Sequence, residues 1–385
     1  MKSLVRRLLP QWVINNFYHL PKAILANLIY RFPTRRLTII GVTGTDGKTT
    51  TVNMIYQILK NAGKKVSMVS TINAPGFHVT SPNPFTIQKF AKEALEMQDE
   101  YLVLEVTSHA LDQYRFWGIK FDVGVITNIT HEHLDYHKTF ENYFNTKLKL
   151  IKNVKSAIVN QNLNIKGITF GLEKGDFNQK EMKLKLKIPG DYNIENALSA
   201  LAVAFVLNID RGIARSTVES FSGLTGRMEE VKNSKGLRIF IDFAHTPNGL
   251  EQALKTLRLH LRGARLLALI GAEGFRDERK RAMMGAIAQK LSDIVIVTAV
   301  DPRGQIKEIN RQIASGAKKE GAKEGKNLFV IDDRQDAIAF AIRELSKKGD
   351  TIGIFGKGHE TSMNLDGLSE IPWSDKEAVK KILNG

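Results

Sequence analysis

The chain has 385 residues, 43% of them hydrophobic, and a formal charge of +16, so it can bury sizeable cores and, by length, form roughly two or three domains. It contains no cysteine, which excludes disulfides, thiolate metal sites and a cysteine nucleophile and fits a reducing compartment. No run approaches the roughly 20 apolar residues of a membrane span: the most apolar early stretch, 12–32, is broken by Asn15, Asn16, His19, Pro21, Lys22 and Arg31.

The N-terminus carries Lys2, Arg6 and Arg7 but no compact apolar run with a small-residue cleavage site, so a secretory signal is not expected and a cytoplasmic location is. The lysines are dispersed, and neither an RNA-binding aromatic signature nor zinc-finger spacing is present. The positive charge therefore reads as a solvated basic surface, with no nucleic-acid partner.

Residues 1–36 are too few for an α/β domain and read as a short basic and aromatic helical segment, packed on the body or lying on a surface. From residue 37 onward, short β-rich apolar runs alternate with helical patterns, the signature of largely parallel sheets. Strands are predicted at 37–42, 65–69, 101–106 and 123–127, with helices after a glycine loop, around 140–151 and over 193–207. A second series places strands at 238–242, 266–270, 294–297, 328–331 and 351–355. The division predicted is 1–36, a central domain at 37–225 and a C-terminal domain at 226–385.

The sharpest signal is Gly44-Thr45-Asp46-Gly47-Lys48-Thr49-Thr50, between an apolar strand and a helical pattern. Glycines let backbone N–H groups approach phosphate oxygens, a helix N-terminus adds positive potential, Lys48 reaches the outer phosphates, and Thr49 can ligate magnesium. Val42 stands where the strict phosphate-loop pattern begins with glycine. A second cluster, Glu105 to Arg115, sets an acid at a strand end, where ligands of open α/β sheets gather; Glu105 is a reasonable magnesium ligand. A third, Thr127 to His137, packs three histidines and two acids into a loop, and its chemistry leaves zinc open beside magnesium.

These clusters, in this order, resemble the central domain of Mur ligases, and the longer runs most resemble the UDP-N-acetylmuramoyl-tripeptide synthetase branch. The resemblance continues through Tyr143-Phe144-Asn145-Thr146-Lys147, Gly190-Asp191-Tyr192-Asn193, Gly226-Arg227-Met228-Glu229, Asp242-Phe243-Ala244-His245 and Gly356-Lys357-Gly358-His359-Glu360. It implies a P-loop ATPase domain with a mostly parallel sheet and a C-terminal Rossmann-like α/β domain that binds the incoming amino acid. It also implies an acid–amino-acid ligase using ATP and two magnesium ions, one on Thr49 and Glu105, the other on His133 and a carbamylated Lys147. Lys48, Glu105, His133 and Lys147 would be the catalytic set. Asn193, Asn196, Arg227, Asp242 and His245, with the loop from Gly44 to Thr50, match nucleotide-lining positions. Thr80, Ser81, Thr107, Gln113 and Arg115 match positions that grip the uridine-diphosphate-muramoyl dipeptide; Arg276, Asp301, Arg303, Gly356 and Glu360 match the amino-acid pocket. A monomer is expected.

Several departures shape these expectations. The uridine-binding domain of that branch has no counterpart before residue 37, so a lipid-linked acceptor stays open, as does contact of residues 1–36, with Trp12, Phe17, Tyr18, Tyr30 and Phe32 among basic residues, with a membrane surface. The family's Asp-Asn-Pro-Arg motif reads Val300-Asp301-Pro302-Arg303 here: Arg303 favours the distal carboxylate of meso-diaminopimelate, whereas Asp301 is suited to the ammonium of lysine. Asp46 stands where asparagine is common, and the stretch 158–187 is short. Folate polyglutamate ligases share the loop, amidating Mur-like synthetases carry zinc-binding cysteines absent here, and a non-catalytic nucleotide-binding protein is the reading from another class.

Overall fold

The computed structural model describes residues 9–73, 80–261 and 263–384. They divide into two compact units. The first comprises residues up to Ile129, Thr139–Lys187 and Asp191–Phe221; the second comprises Thr130–Lys138, Ile188–Gly190 and the chain from Ser222 onward. The loop Thr130–Lys138 thus groups with the second unit rather than with the strand that leads into it.

The first unit begins with helix α1, which runs over Gln11–Ile14, widens into a π turn at Asn15–His19 and continues over Leu20–Tyr30. Pro21 offers no N–H to the preceding turn, and the wider turn falls where that bond is missing. Seven parallel strands follow, in the spatial order β2-β3-β1-β4-β5-β6-β7. They are β1 (Thr38–Thr43), β2 (Val66–Val69), β3 (Tyr101–Glu105), β4 (Val123–Ile126), β5 (Ser156–Asn160), β6 (Ile168–Gly171) and β7 (Phe177–Asn178). The central strands are nearly unbroken apolar runs because helices cover them, among them α2 (Lys48–Asn61), α3 (Pro84–Glu96), α4 (Phe140–Leu148) and α5 (Asp191–Val206). Ile39, Leu102, Leu104, Ile87 and Ala91 form the buried cluster on one side. The register sets Val42 beside Glu105 on one flank and Val125 on the other. The carboxyl ends of β1, β3 and β4 therefore finish level, which is what brings the glycine loop, Glu105 and the residues after β4 together.

The second unit is a six-stranded sheet ordered β12-β11-β10-β13-β9-β8, parallel except for β8 at its edge. Its strands are β8 (Glu229–Val231), β9 (Arg238–Asp242), β10 (Leu266–Ile270), β11 (Ile294–Val297), β12 (Leu328–Val330) and β13 (Thr351–Phe355). Ile239, Ile241, Leu267, Leu269, Ile296 and Ile354 form its core. Helices α6 (Pro247–Leu259), α7 (Arg279–Leu291) and α8 (Ile306–Lys319) follow β9, β10 and β11, giving the alternating βα order expected of a doubly wound domain.

Four of the second-series strands fall on their predicted residues, 238–242, 266–270, 294–297 and 351–355. The strands β5 to β8 were not predicted.

Candidate active site

In the first unit the loop between β1 and α2 is held from outside by the residues after β4. Asn128 accepts from the Asp46 N–H through Oδ1 at 2.9 Å and from the Thr45 N–H through its carbonyl at 2.9 Å. Thr127 Oγ1 donates to the Asp46 carbonyl at 2.6 Å. Since Asn128 takes those two amides, the N–H groups left to meet an anion are those of the first turn of α2, where they and the helix dipole point outward. Two glycines are obligatory here. A Cβ on Gly44 would lie 1.8 Å from Thr127 Oγ1, and one on Gly47, at φ +82°, 2.3 Å from Asn196 Oδ1.

Lys48 folds back along the loop, its Nζ donating to the carbonyls of Thr45 at 2.7 Å and Gly44 at 3.1 Å. Lys147, on α4, is buried beneath the loop and donates to the same Gly44 carbonyl at 2.7 Å, with its Nζ 4.7 Å from the Tyr143 ring centroid. Thr45 Oγ1 lies 3.0 Å from the Tyr143 hydroxyl. Thr50 is buried in the first turn of α2.

Glu105 is buried at the end of β3. Its Oε1 accepts from Thr49 Oγ1 at 3.0 Å, and its Oε2 accepts from the Thr71 N–H at 2.8 Å and the Thr71 hydroxyl at 2.9 Å. Hydroxyls and a carboxylate make a hard, oxygen-only donor set of the kind magnesium takes. Among the described residues no group of three or more His, Asp or Glu side chains is arranged to hold a metal ion, so the three histidines of the 127–137 loop do not converge as a zinc site requires.

The residues expected to grip the peptide acceptor adjoin this point. Thr71 Oγ1 and Thr80 Oγ1 lie 3.1 Å apart, Ser81 Oγ donates to the Glu105 carbonyl at 2.9 Å, and the Thr107 N–H donates to Ser81 Oγ at 3.0 Å. The Arg115 guanidinium bonds to the Ser81 carbonyl and twice to Gln113 Oε1, at 3.1 and 2.8 Å. Asn193 and Asn196 are buried on α5, where Asn196 Oδ1 accepts from Thr51 Oγ1 at 3.2 Å. Thr71, Asn128 and Tyr143 are the contributors that the sequence reading did not select. Thr71 belongs to no motif and is identifiable only by following β2 to its carboxyl end.

In the second unit most of the expected residues collect at or just after the carboxyl ends of β9, β10, β11 and β13, with Arg227 before β8 and His133 in the loop Thr130–Lys138. Asp242 is buried and accepts from the N–H groups of Met228 and Ala244, both at 2.7 Å. Arg227 lies over the Phe243 ring at 4.4 Å, and His245 packs edge-on against that ring with its Nδ1 3.0 Å from the Phe243 carbonyl. His133 adopts φ +57° in the loop Thr130–Lys138, its Nδ1 3.8 Å from Glu132 Oε1. Glu132 is closed off from solvent against Lys280, 3.0 Å away on α7, and His131 lies 3.4 Å from Asp277. Burial disfavours the Lys280 ammonium, but Glu132 and Glu273 outweigh it and hold the group above its ordinary value.

Around the expected amino-acid pocket, Arg276 lies 3.5 Å from Glu273, and Arg303 donates to the Gly274 carbonyl at 3.3 Å. Burial pushes the Glu273 carboxyl up, yet Arg276, Lys280, His245 and Arg303 together bring it down to about 2. Phe275, Asp301 and Arg303 all have positive φ, 56°, 99° and 49°, a concentration of backbone strain found at ligand-binding sites. Gly356, at φ +105°, donates its N–H to the Asp242 carbonyl at 3.0 Å. Asp301 already has an ammonium partner within the chain. Its carboxylate is fully buried, accepts from Lys357 Nζ at 3.0 and 3.1 Å and from the Asn364 N–H at 2.9 Å, and Lys357 is also 2.6 Å from Glu360.

A strand, glycine loop and helix with Lys48, Thr49 and a strand-end acid define a phosphate-loop nucleotide-binding protein, here joined in one chain to a second doubly wound domain. Residues 42–175 match the Mur ligase middle domain and residues 226–358 the Mur ligase glutamate ligase domain. The UDP-N-acetylmuramoyl-L-alanyl-D-glutamate--2,6-diaminopimelate ligase of Clostridium botulinum is 35% identical over 94% of this chain and 81% of its own length. A solved structure of an enzyme with that name is 28% identical, with TM-score 0.57 over 90% of this chain and 78% of that one. MurF from Thermotoga maritima in complex with ADP, 19% identical, shares the fold, with TM-score 0.66 over 93% of this chain and 83% of its own. The chain belongs to the Mur ligase family, whose members form carbon–nitrogen bonds with ATP and magnesium.

Proposed function

We propose that this chain joins meso-diaminopimelate to UDP-N-acetylmuramoyl-L-alanyl-D-glutamate in peptidoglycan synthesis. The γ-phosphoryl group of ATP passes to a carboxylate oxygen, giving an acyl phosphate and ADP. The amine nitrogen then attacks the acyl carbon, the carbon–oxygen bond to phosphate breaks, and the nitrogen gives up a proton. The observation that carries the chemistry is the Thr49–Glu105 contact at the start of the phosphate-loop helix; the substrates rest on the names of the relatives. Thr49 and Glu105 would hold magnesium, which neutralises charge on the transferred phosphoryl group. Lys48 adds a cation beside it, and the first turn of α2 orients the phosphates. Lys147 is assigned as the carbamate, an anionic oxygen ligand for a second magnesium, on the strength of its burial next to the loop.

The choice of diaminopimelate over lysine follows from Asp301. Its carboxylate is bound to Lys357, so the ground for a lysine ammonium at that position falls away, while Arg303 and Arg276 supply cations for a distal carboxylate. Magnesium-dependent phosphate release, measured with ATP and the muramoyl dipeptide plus meso-diaminopimelate, L-lysine or neither, tests the proposal. A tripeptide mass with diaminopimelate supports it, and a product with lysine alone refutes the selectivity. No product with either amino acid would point to a lipid-linked or different acceptor.

A further inference from the structure

Helix α1 is packed the wrong way round for a simple surface helix. Its buried positions are Asn15, Ala23, Ala26 and Asn27, whereas Trp12, Phe17, Tyr18, Leu25, Leu28 and Ile29 face solvent. Phe17 is 75% exposed, and Leu28 and Ile29 are each 58% exposed. Tyr18, Leu25, Leu28 and Ile29 recur at spacings of seven, three and four, so they form one stripe rather than scattered contacts.

The inward face is fixed by polar bonds. Asn15 Nδ2 donates to Asp112 Oδ2 at 2.8 Å, and Asn27 Nδ2 donates to the Trp117 carbonyl at 2.8 Å. The outward stripe therefore cannot be buried by rolling the helix without breaking both. A contiguous exposed apolar surface of this kind marks a binding face.

Charge identifies the occupant. The chain has no Asp or Glu before Asp46, while Lys22, Arg31, Arg35 and Arg36, together with Lys2, Arg6 and Arg7 outside the described residues, supply cations. Arg31, Arg35 and Arg36 are exposed at the end of the helix. Aromatic residues with polar edges, Trp12 and Tyr18, are the side chains that settle at a lipid headgroup boundary. Among the described residues no helix is long and apolar enough to cross a membrane. A helix with one apolar face, flanking cations and no carboxylate suits the plane of an anionic bilayer surface.

We infer that the outward face of α1 docks on the surface of an anionic lipid bilayer and holds the enzyme there peripherally. The inference does not depend on which acceptor is used. It is tested by co-sedimentation of the full chain with vesicles of phosphatidylcholine alone or with added phosphatidylglycerol. The wild type should bind the anionic vesicles, and a Phe17→Ser, Leu25→Ser, Leu28→Ser variant should bind at least roughly tenfold less with its ADP affinity unchanged. Replacing Arg31, Arg35 or Arg36 by Gln should lower binding about fivefold for each side chain that reaches the surface. Because the triple variant could misfold, the wild type also provides a direct reading: brominated lipid should quench its tryptophan emission, and Trp12→Phe should remove that quenching. Absence of binding at low salt, binding unaffected by the triple variant, or a solution dimer that the variant converts to monomer would each overturn the inference.

Discussion

Lys357 donates to both carboxylate oxygens of Asp301, at 3.0 and 3.1 Å, with both side chains closed to solvent. Removing one member of such a pair strands the other, and the cost for a buried pair is about 3–5 kcal/mol. Lys357→Met should therefore lower the unfolding free energy of the chain by about that amount in urea titration. The double variant Lys357→Met, Asp301→Asn should recover much of it, because the Asp301 charge is removed together with its cation, although Glu360 still loses its contact with Lys357. A double variant destabilised by the sum of the Lys357→Met and Asp301→Asn effects would show that the pair is not coupled.

The Thr49–Glu105 contact separates binding from chemistry. Glu105→Gln keeps the shape and loses the charge, so nucleotide binding should survive while turnover falls by roughly 100-fold or more, as when a preorganised charge at phosphoryl transfer is lost. The magnesium concentration for half-maximal rate should rise with it. Titrating magnesium in the phosphate-release assay checks both; an unchanged magnesium dependence would remove Glu105 from the metal.

Gly47 faces two obstacles to any side chain: its φ of +82° and the Asn196 amide, 2.3 Å from where a Cβ would stand. The backbone alone costs on the order of 1–2 kcal/mol for alanine in that conformation, and the clash adds to it. Gly47→Ala should weaken ADP binding at least roughly tenfold by calorimetry. Trimming the neighbour with Asn196→Ala should restore part of the loss if the contact, rather than the dihedral alone, is responsible.

Much of this arrangement was legible in the sequence, for a physical reason. Parallel strands buried on both faces are continuous apolar runs, so β9, β10, β11 and β13 are readable to the residue. By contrast β7 is two residues long and β6 ends in glycine, too little pattern to register. The phosphate loop is a local motif, while the Asp301–Lys357 pair joins residues 56 apart in the chain and only folding brings them together. The direction of α1 was hidden likewise: the sequence shows a basic and aromatic helical segment, but not that alanine and asparagine point inward.

Two groups in the second unit make it sensitive to acid. Burial, then the Arg227 cation, lowers His359 from 6.5 to about 4, with Glu360 acting the other way. Glu273 stands at about 2 against 4.5, held down by the surrounding cations despite its burial. Both values are lower in the fold than in the unfolded chain, so the unfolded chain takes up protons first as pH falls. The stability each group contributes is complete above its unfolded value and drains away below it, between pH 6.5 and 4 for His359 and between pH 4.5 and 2 for Glu273. Each contribution is on the order of 3 kcal/mol. Thermal midpoints should begin to fall below pH 6.5, and His359→Gln should flatten that first decline while leaving the second. A decline that starts only below pH 4.5 would show that His359 is protonated in the fold.

Arg303 offers the sharpest test of amino-acid selectivity. Its backbone is held at φ +49° and its guanidinium donates to the Gly274 carbonyl at 3.3 Å, so the group is positioned before any substrate arrives. A charge-assisted bond to a carboxylate contributes about 1.5–3 kcal/mol, equivalent to roughly 10- to 150-fold in affinity. Arg303→Ala should raise KM for meso-diaminopimelate by that factor with little change in KM for ATP. Arg303→Lys should recover only part, because an ammonium cannot reproduce the two parallel bonds of a guanidinium. L-Lysine has no distal carboxylate, so its poor use should be indifferent to Arg303. If the variant penalised lysine and diaminopimelate alike, Arg303 would be acting on the α-carboxylate common to both, and the selectivity would have to reside elsewhere in the pocket.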